Sequence, residues 1–406
     1  HSLGLEKIVT LILAGGKGER LYPLTRDRSK PAVPFGGSFR IIDFTLSNCL
    51  NSGLRRVYLL TQYKAGSLMQ HINAGWSLFS PELGEHVSIL PPQLRIGSTW
   101  YVGTADAVYQ NVYTLDRERP EHVLILSGDH VYRMDYRDMI AQHIDSDADA
   151  TLALVPVPAS QADQFGIVDC DDAGQVVGFR EKPKDVDPSG PDLVGNMGVY
   201  LFKTESLVQA VTRDGRMESS SHDFGHDVLP DMVAQGARVL GHRFHSAGQS
   251  EEPYWRDIGT RDAFYEANMD LVSVSPRFNL YDRSWPVRSA AVQAPPAKFV
   301  FAGGEAGRIG QALDSLAAPG VIVSGGQVVS SILGPHVRVN SWARVEQSIL
   351  MDDVEVGRHA VVRRAIVDKY VKIPPGAEIG VDLEQDSKRF MVTRGGVVIV
   401  PRGERF

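Results

Sequence analysis

Residues 13–25 read LAGGKGERLYPLT, and residues 29–37 read SKPAVPFGG. The first run continues KIVTLILA (7–14), an apolar stretch of strand length that ends directly on glycines. Gly15, Gly16 and Gly18 let backbone amides approach an anion without side-chain interference. The glycine order fits neither G-x-G-x-x-G nor G-x-x-x-x-G-K-[ST], so neither dinucleotide binding nor an ordinary ATPase follows directly. Arg20 and Lys30 supply positive charge at the same loop, as a polyphosphate requires.

Outward from this loop the pattern alternates. RVYLLTQY (56–63), HVLILSGDHVY (122–132) and DATLALVPV (149–157) read as further buried strands. FRIIDFTLSNCLNSG (39–53), TADAVYQNVYTLDRE (104–118) and DYRDMIAQHIDSD (135–147) read as helices between them. Alternating strands and helices predict an α/β fold with an open, mostly parallel, Rossmann-like sheet, its ligands beyond the carboxyl ends of the strands. GIVDCDDAGQVVGFREKP (166–183) reads instead as a hairpin turning on Asp-Asp-x-Gly.

Past residue 275 the periodicity changes. Residues 276–299 are proline-containing and irregular, as a linker would be. Aliphatic residues then recur in triplets six apart: Leu316, Ile322, Val328; Leu333, Val339, Val345; Leu350, Val356, Val362; Val367, Ile373, Ile379. Each triplet begins 17 residues after the last. That spacing predicts a triangular parallel β-helix over 300–406, with Gly325, Gly326, Gly334, Gly357 and Gly376 at corners. The expected organisation is therefore a catalytic domain (1–275), a linker (276–299) and a β-helix for assembly and regulation (300–406).

The chain has 406 residues, 43% apolar and 22% charged, with a formal charge of -7. That balance gives no reason to expect nucleic acid or an anionic membrane as partner. Residues 1–65 nevertheless carry ten Lys or Arg against four Asp or Glu, an excess suited to phosphorylated small molecules. Two cysteines, Cys49 and Cys170, cannot build a disulfide framework or a cysteine-rich zinc site. No apolar run is long enough for a bilayer and the N-terminal residues lack a secretory pattern, so a soluble cytoplasmic protein is expected.

The candidate chemistry is oxygen-rich. Asp129, just beyond a strand in LSGDH (126–130), and Asp257 in YWRDIGT (254–260) are hard ligands suited to Mg²⁺ on a nucleotide phosphate. Lys182 in REKP (180–183) suits a compact phosphate, and Glu181 suits sugar hydroxyls. Asn196 and Gly198 in NMGVY (196–200) allow close approach to a sugar. Neither H-E-x-x-H nor G-x-S-x-G is present.

Together these segments resemble the glucose-1-phosphate adenylyltransferases (ADP-glucose pyrophosphorylases) of the bacterial glycogen-pathway type. PFGGSFRIIDF (34–44), YVGTADAVYQN (101–111), SGDHVYRMDY (127–136), SSHDFGHDVLP (220–230) and YWRDIGTRDAFYEAN (254–268) carry the resemblance over nearly the whole chain. It implies adenylyl transfer from ATP to α-D-glucose 1-phosphate with Mg²⁺, a left-handed β-helix after the catalytic domain, and a homotetramer controlled by metabolites. Those effectors would be sugar phosphates, pyruvate, AMP, ADP or phosphate. By resemblance, Gly15, Gly16, Arg20 and Lys30 hold the triphosphate; Gln93, Gly103 and Asp106 lie on the adenine and ribose side. Asp129 and Asp257 form the metal pair, while Tyr101, Gly166, Glu181 and Lys182 contact glucose 1-phosphate. Arg26, Arg28, Arg40, Arg55 and Arg56 are candidate effector contacts. Two positions depart from the family pattern: Asn196 stands where Ser is frequent, and Asp27 where some enteric members carry an activator-binding lysine.

Overall fold

The computed structural model describes residues 3–92, 100–245, 253–304 and 306–406. Gln93 lies outside the described residues.

The N-terminal sheet has nine strands. Its path runs Val176–Glu181, Gly166–Cys170, Leu193–Lys203, His122–Ser127, Ile8–Leu13, Arg56–Leu60 and His86–Leu90. Ala150–Val157 joins alongside Leu193–Lys203, and Val239–Arg243 pairs with Ala150–Val157. Ile8–Leu13 is central, parallel to Arg56–Leu60 on one side and to His122–Ser127 on the other. Both faces are covered, as an apolar run of this kind requires. Ile8 and Ile12 pack into one core cluster, Val9 and Leu11 into the other.

The expectation of a mostly parallel sheet holds for only half of it. Leu193–Lys203 is antiparallel to His122–Ser127, Ala150–Val157 and Gly166–Cys170. The chain enters it from the 166–181 hairpin, with no helical crossover to force a parallel return. The hairpin turns as expected: the Asp171 side chain accepts from the Ala173 and Gln175 amides, and Gly174 has φ 79°. The expected 104–118 helix is two, Thr104–Tyr109 and Val112–Glu118, broken at Gln110 and Asn111. The sheet also contains His86–Leu90 and Val239–Arg243, two strands not among those expected from the sequence.

The C-terminal region consists of three sheets built from short strands. Two have five strands, and the third has six, with Met391–Val392 as its one antiparallel member. Leu333, Leu350 and Val367 stack, as do Val339, Val356, Ile373 and Val345, Val362, Ile379. All nine lie in one buried cluster. Two members of the first triplet stand one residue out of register, while its third, Val328, stacks on Val345 as expected. Leu316 pairs with Ile332, while Ala317 pairs with Leu333 and Val323 with Val339, and Ile322 is only half-buried. The cause is a shortened corner at Gly325–Gly326. A Cβ on Gly326 would sit 2.6 Å from Val339 Cγ1, so the chain turns there with one residue fewer.

Most corners use a residue with positive φ. Ser330, His336, Trp342, Gln347, Asp353, His359, Arg364 and Tyr370 follow one another at five- or six-residue steps. The coil geometry imposes this conformation on residues that rarely adopt it.

The six-stranded sheet faces the N-terminal region. Its outward residues Ile349, Ile366 and Ile399 are buried in one cluster with Phe35, Phe44, Phe264 and Phe278. Each isoleucine so covered contributes about 1.5–3 kcal/mol. Residues 276–297 are irregular but firmly held, and Lys298–Val300, expected to close the linker, already pairs with Ile322–Ser324. Arg133 donates to Asp282 at 2.7 Å and to the Asn279 carbonyl at 2.8 Å; Trp285 Nε1 donates to Asn48; Ser289 Oγ donates to the buried Asp43. Polar anchors replace regular structure there.

Candidate active site

Strand Ile8–Leu13 delivers the glycine loop to the carboxyl edge of the sheet. Gly15 passes so close to the next strand end that a Cβ would lie 2.9 Å from Gln62 Cβ, while Gly16 faces open space. Gly18, with φ 63°, packs against Lys30 and Thr25. That packing folds the KPAV turn back beneath the loop and buries most of the Lys30 side chain.

Lys30 is the centre of the site. Its Nζ lies 3.4 Å from Asp129 Oδ2 and 3.5 Å from Asp257 Oδ1. The two aspartates are 128 positions apart in sequence and meet because Val131–Tyr132 pairs antiparallel with Trp255–Arg256. His130 Nε2 is 3.4 Å from Asp129 and 3.6 Å from Asp257, its ring edge-on to Trp255. Burial acts to raise the Asp129 pKa, but Lys30 and then His130 outweigh it and hold the carboxyl below its usual range. Asp129 is thus an anion beside a cation, with both carboxylates still partly open to solvent.

A cavity of ≈1050 Å³ adjoins this cluster and is lined by Arg20, Phe165, Lys182, Trp255, Asp257 and Gly259, among others. It therefore unites Arg20, which follows the glycine loop, with the second aspartate and the REKP lysine. Lys182 has φ 44° and its amide donates to the Phe165 carbonyl, which turns the chain out of the hairpin. Its side chain is exposed, 3.9 Å from Glu181. Gly166 pairs with Glu181 across the hairpin, and a Cβ there would come within 3.0 Å of Glu181 Oε2.

Asn196 is fully engaged. Its Nδ2 donates to Tyr200 Oη at 2.8 Å and its Oδ1 accepts from the Gly198 amide at 2.9 Å. It thereby shapes the register shift between Asn196 and Tyr200. Gly198, with φ 76°, packs near Ser127 and His130.

The 100–106 segment lies beside the glycine loop, with the Tyr101 carbonyl accepting from Gln62. Gly103 approaches the Ser221 and His222 carbonyls so closely that a Cβ would stand 2.4 Å from the latter. Thr104 Oγ1 donates to Asp223, whose other oxygen accepts from the Gly225 and His226 amides. Asp106 Oδ2 is occupied by the Val102 amide and Gln110 Nε2, each at 2.9 Å. Tyr101 Oη accepts from Asn111, and burial pushes its pKa up. Asp223, Tyr200, Trp255 and Gln62 were not singled out in the sequence. Each is placed by a loop or strand partner far away in the chain.

The candidate effector arginines separate into two groups. Arg28 is buried and grips both oxygens of Asp368 at 2.8 Å; its Nε and Nη1 have no partner among the described residues. Arg40 donates to the Ala32 carbonyl at 2.6 Å, and Arg26 to the Arg402 carbonyl at 2.9 Å. Lys369 lies beside Arg28 and Arg40, 3.4 Å from Asp352. Burial chiefly, helped by the neighbouring Arg40 and Arg28 charges, lowers its pKa to about 8. Burial likewise lowers Arg40. Asp27 is paired with Arg26. Arg55 and Arg56 lie elsewhere, at the start of their strand. Arg55 donates to the Leu50 and Leu54 carbonyls, and Arg56 pairs with Glu118 at 2.8 Å.

The family described as Nucleotidyl transferase matches residues 9–274, and the one described as GlmU-like, C-terminal hexapeptide matches 295–400. A glucose-1-phosphate adenylyltransferase of Koribacter versatilis is 54% identical over 397 residues, 97% of this chain and 94% of its own length. One of Rhodopirellula baltica is 51% identical over 410 residues, covering 100% of this chain and 92% of the relative. The glucose-1-phosphate adenylyltransferase 2 of Vibrio cholerae is 48% identical with 99% of both chains covered. With such likeness along its whole length, and with Arg20, Asp257 and the REKP lysine lining one cavity beside the Lys30–Asp129 pair, this chain belongs to the glucose-1-phosphate adenylyltransferase family of nucleotidyl transferases.

Proposed function

We propose that the cavity beside Lys30 is where the adenylyl group of ATP passes to α-D-glucose 1-phosphate, giving ADP-glucose and pyrophosphate. The observation that carries this reading is Lys30 set between Asp129 and Asp257 at the foot of the glycine loop. The sugar phosphate is its own nucleophile. A phosphate monoester has a second pKa of about 6, so its oxygen is ionised near neutrality and needs no general base. Catalysis is then positioning and charge stabilisation. Gly15, Gly16, Arg20 and Lys30 hold the triphosphate, with Gln93, Gly103 and Asp106 on the base and ribose side. Because Asp106 Oδ2 already fastens the 102–110 turn, this carboxylate shapes the wall more than it reaches outward. Lys182 takes the sugar phosphate, while Tyr101, Gly166, Glu181, Asn196 and Gly198 frame the sugar.

Asp129 and Asp257 fit Mg²⁺. Among the described residues no three His, Cys, Asp or Glu side chains form a complete cage, and Mg²⁺ rarely uses one. It takes one or two carboxylates and fills the remainder with phosphate oxygens and water. Bound there, it would neutralise triphosphate charge and favour the departing pyrophosphate.

The cleft holding Arg28, Arg40 and Lys369 supports regulation by a small anion such as a sugar phosphate, pyruvate, AMP, ADP or phosphate. Two unpartnered donors on a buried arginine call for an acceptor. Arg26 lies at its rim through Arg402; Arg55 and Arg56 are not part of it. The β-helix is left-handed in this reading, the chain divides at 275 and 299, and the assembly is a homotetramer in the cytoplasm. No helix among the described residues is long and apolar enough to cross a membrane.

The test is pyrophosphate release with Mg²⁺ and glucose 1-phosphate, comparing ATP, UTP, dTTP, CTP and GTP. ATP selectivity with ADP-glucose as product is expected. Preference for UTP or dTTP would overturn the base assignment, and absence of turnover in folded protein would favour a non-catalytic, nucleotide-binding subunit.

A further inference from the structure

We propose that Gly259 is a positioning residue for Arg20, and that residues 257–261 and the glycine loop work as one unit across the reaction site. The proposal rests on the reading of Arg20 as a triphosphate-binding residue. Both residues line the ≈1050 Å³ cavity. A Cβ on Gly259 would stand 2.9 Å from Arg20 Nη2 and 3.2 Å from Arg20 Cζ. The guanidinium therefore rests on the bare backbone of the Asp257 loop, in space that a single methyl would take. The next nearest atom is the Asp257 carbonyl oxygen, also at 3.2 Å. Gly259 is not among the positive-φ glycines, so space, rather than backbone conformation, is what asks for glycine.

A second contact ties the same two segments. Arg261 Nε donates to the Tyr22 carbonyl at 2.5 Å. Between them Thr260 accepts from the Ala263 amide and caps helix Arg261–Asp270, which gives the loop a fixed base. Arg20 and Tyr22 on one side thus face Gly259 and Arg261 on the other, with Asp257 two residues from the point of contact. When a methyl is added, the tightest contact is with the flexible end of Arg20, and the Asp257 carbonyl needs to give only a few tenths of an ångström. The fold survives while the guanidinium is displaced, and a shift of about 1 Å in a charge clamp can cost on the order of 100-fold in rate.

The experiment is a double-mutant cycle on the full chain with Gly259→Ala, Arg20→Ala and the pair, read by steady-state kinetics in both substrates and by thermal unfolding. Gly259→Ala is expected to lower kcat/KM for ATP roughly 10- to 100-fold. It should change KM for glucose 1-phosphate less than about twofold and leave the unfolding temperature within about 2 °C. In the Arg20→Ala background the same change should add less than about twofold, because the group it displaces is gone. A Gly259→Ala enzyme with unaltered ATP kinetics, or one whose loss multiplies in full onto that of Arg20→Ala, overturns the proposal. So does a loss shared equally by both substrates with a lowered unfolding temperature. If Arg20→Ala itself is silent, the assignment of Arg20 falls first and the proposal with it. Arg261→Gln supplies a second arm should the alanine variant fold poorly. Loss of its tie to Tyr22 should raise KM for ATP severalfold with glucose 1-phosphate unaffected, and no change there overturns the single-unit claim.

Discussion

At the scale of single residues, the site depends on which charges are paired and which are left available. Lys30 is nearly buried and shared by two carboxylates, whereas Lys182 is exposed and only 3.9 Å from Glu181. The former builds the site; the latter is free to meet a ligand. Lys182→Ala should therefore raise KM for glucose 1-phosphate with little change for ATP. A lost charged hydrogen bond is worth about 1.5–3 kcal/mol, or roughly 10- to 150-fold. An effect confined to ATP would refute that role. Lys369 gives a pH prediction. Its folded pKa of about 8 lies below the ordinary lysine value, so folding favours its neutral form. Its penalty on stability applies fully below pH 8 and is relieved as pH rises from 8 toward the ordinary value of about 10.4. The charge available to an anion moves the other way. Sulfate, whose own charge is constant in this range, should bind the cleft about three- to tenfold more weakly at pH 9 than at pH 7. Lys369→Gln should flatten that dependence, as titration calorimetry would show.

At the scale of elements, local signals and long-range pairing had different visibility. The strand before the glycine loop, the hairpin turn at Asp171–Gly174 and the stacked aliphatic triplets are all encoded within a few residues. The triplets were readable because each stacks on its equivalent one coil away. Where Gly325–Gly326 shortens a corner, the reading slipped by one residue. The coils also predict where the domain is weakest to change. Leu350 is buried between Leu333 and Val367. Leu350→Ala should cost about 2–5 kcal/mol, because rigid neighbouring coils cannot collapse into the gap. Urea denaturation followed by circular dichroism measures this, and a loss below about 1 kcal/mol would mean that the stack relaxes.

At the scale of the whole molecule, the two regions are joined by an apolar seam and a buried ion pair. Ile349, Ile366 and Ile399 supply the seam; Arg28 and Asp368, both almost fully buried, supply the pair. Removing one partner leaves a buried charge uncompensated, which typically costs about 3–5 kcal/mol. Arg28→Ala should thus lower the unfolding temperature markedly. Arg28→Met combined with Asp368→Leu should recover much of the loss while abolishing any response to anionic effectors. Recovery of stability together with an intact response would remove the cleft from regulation.

The sequence by itself determined the strand-to-glycine-loop entry, the repeat of the C-terminal coils and the residue types of the site, because each rests on neighbours within a few positions or on a period. Only the tertiary structure decided that Asp129 and Asp257 share Lys30, since their meeting depends on one short antiparallel pairing between distant strands. It also decided that half the sheet runs antiparallel, and that Arg28 and Arg40 come to lie beside Lys369 while Arg55 and Arg56 do not. Hydrogen-bond partners and burial are properties of the space around a residue. Chain neighbours specify that space only where the structure is local.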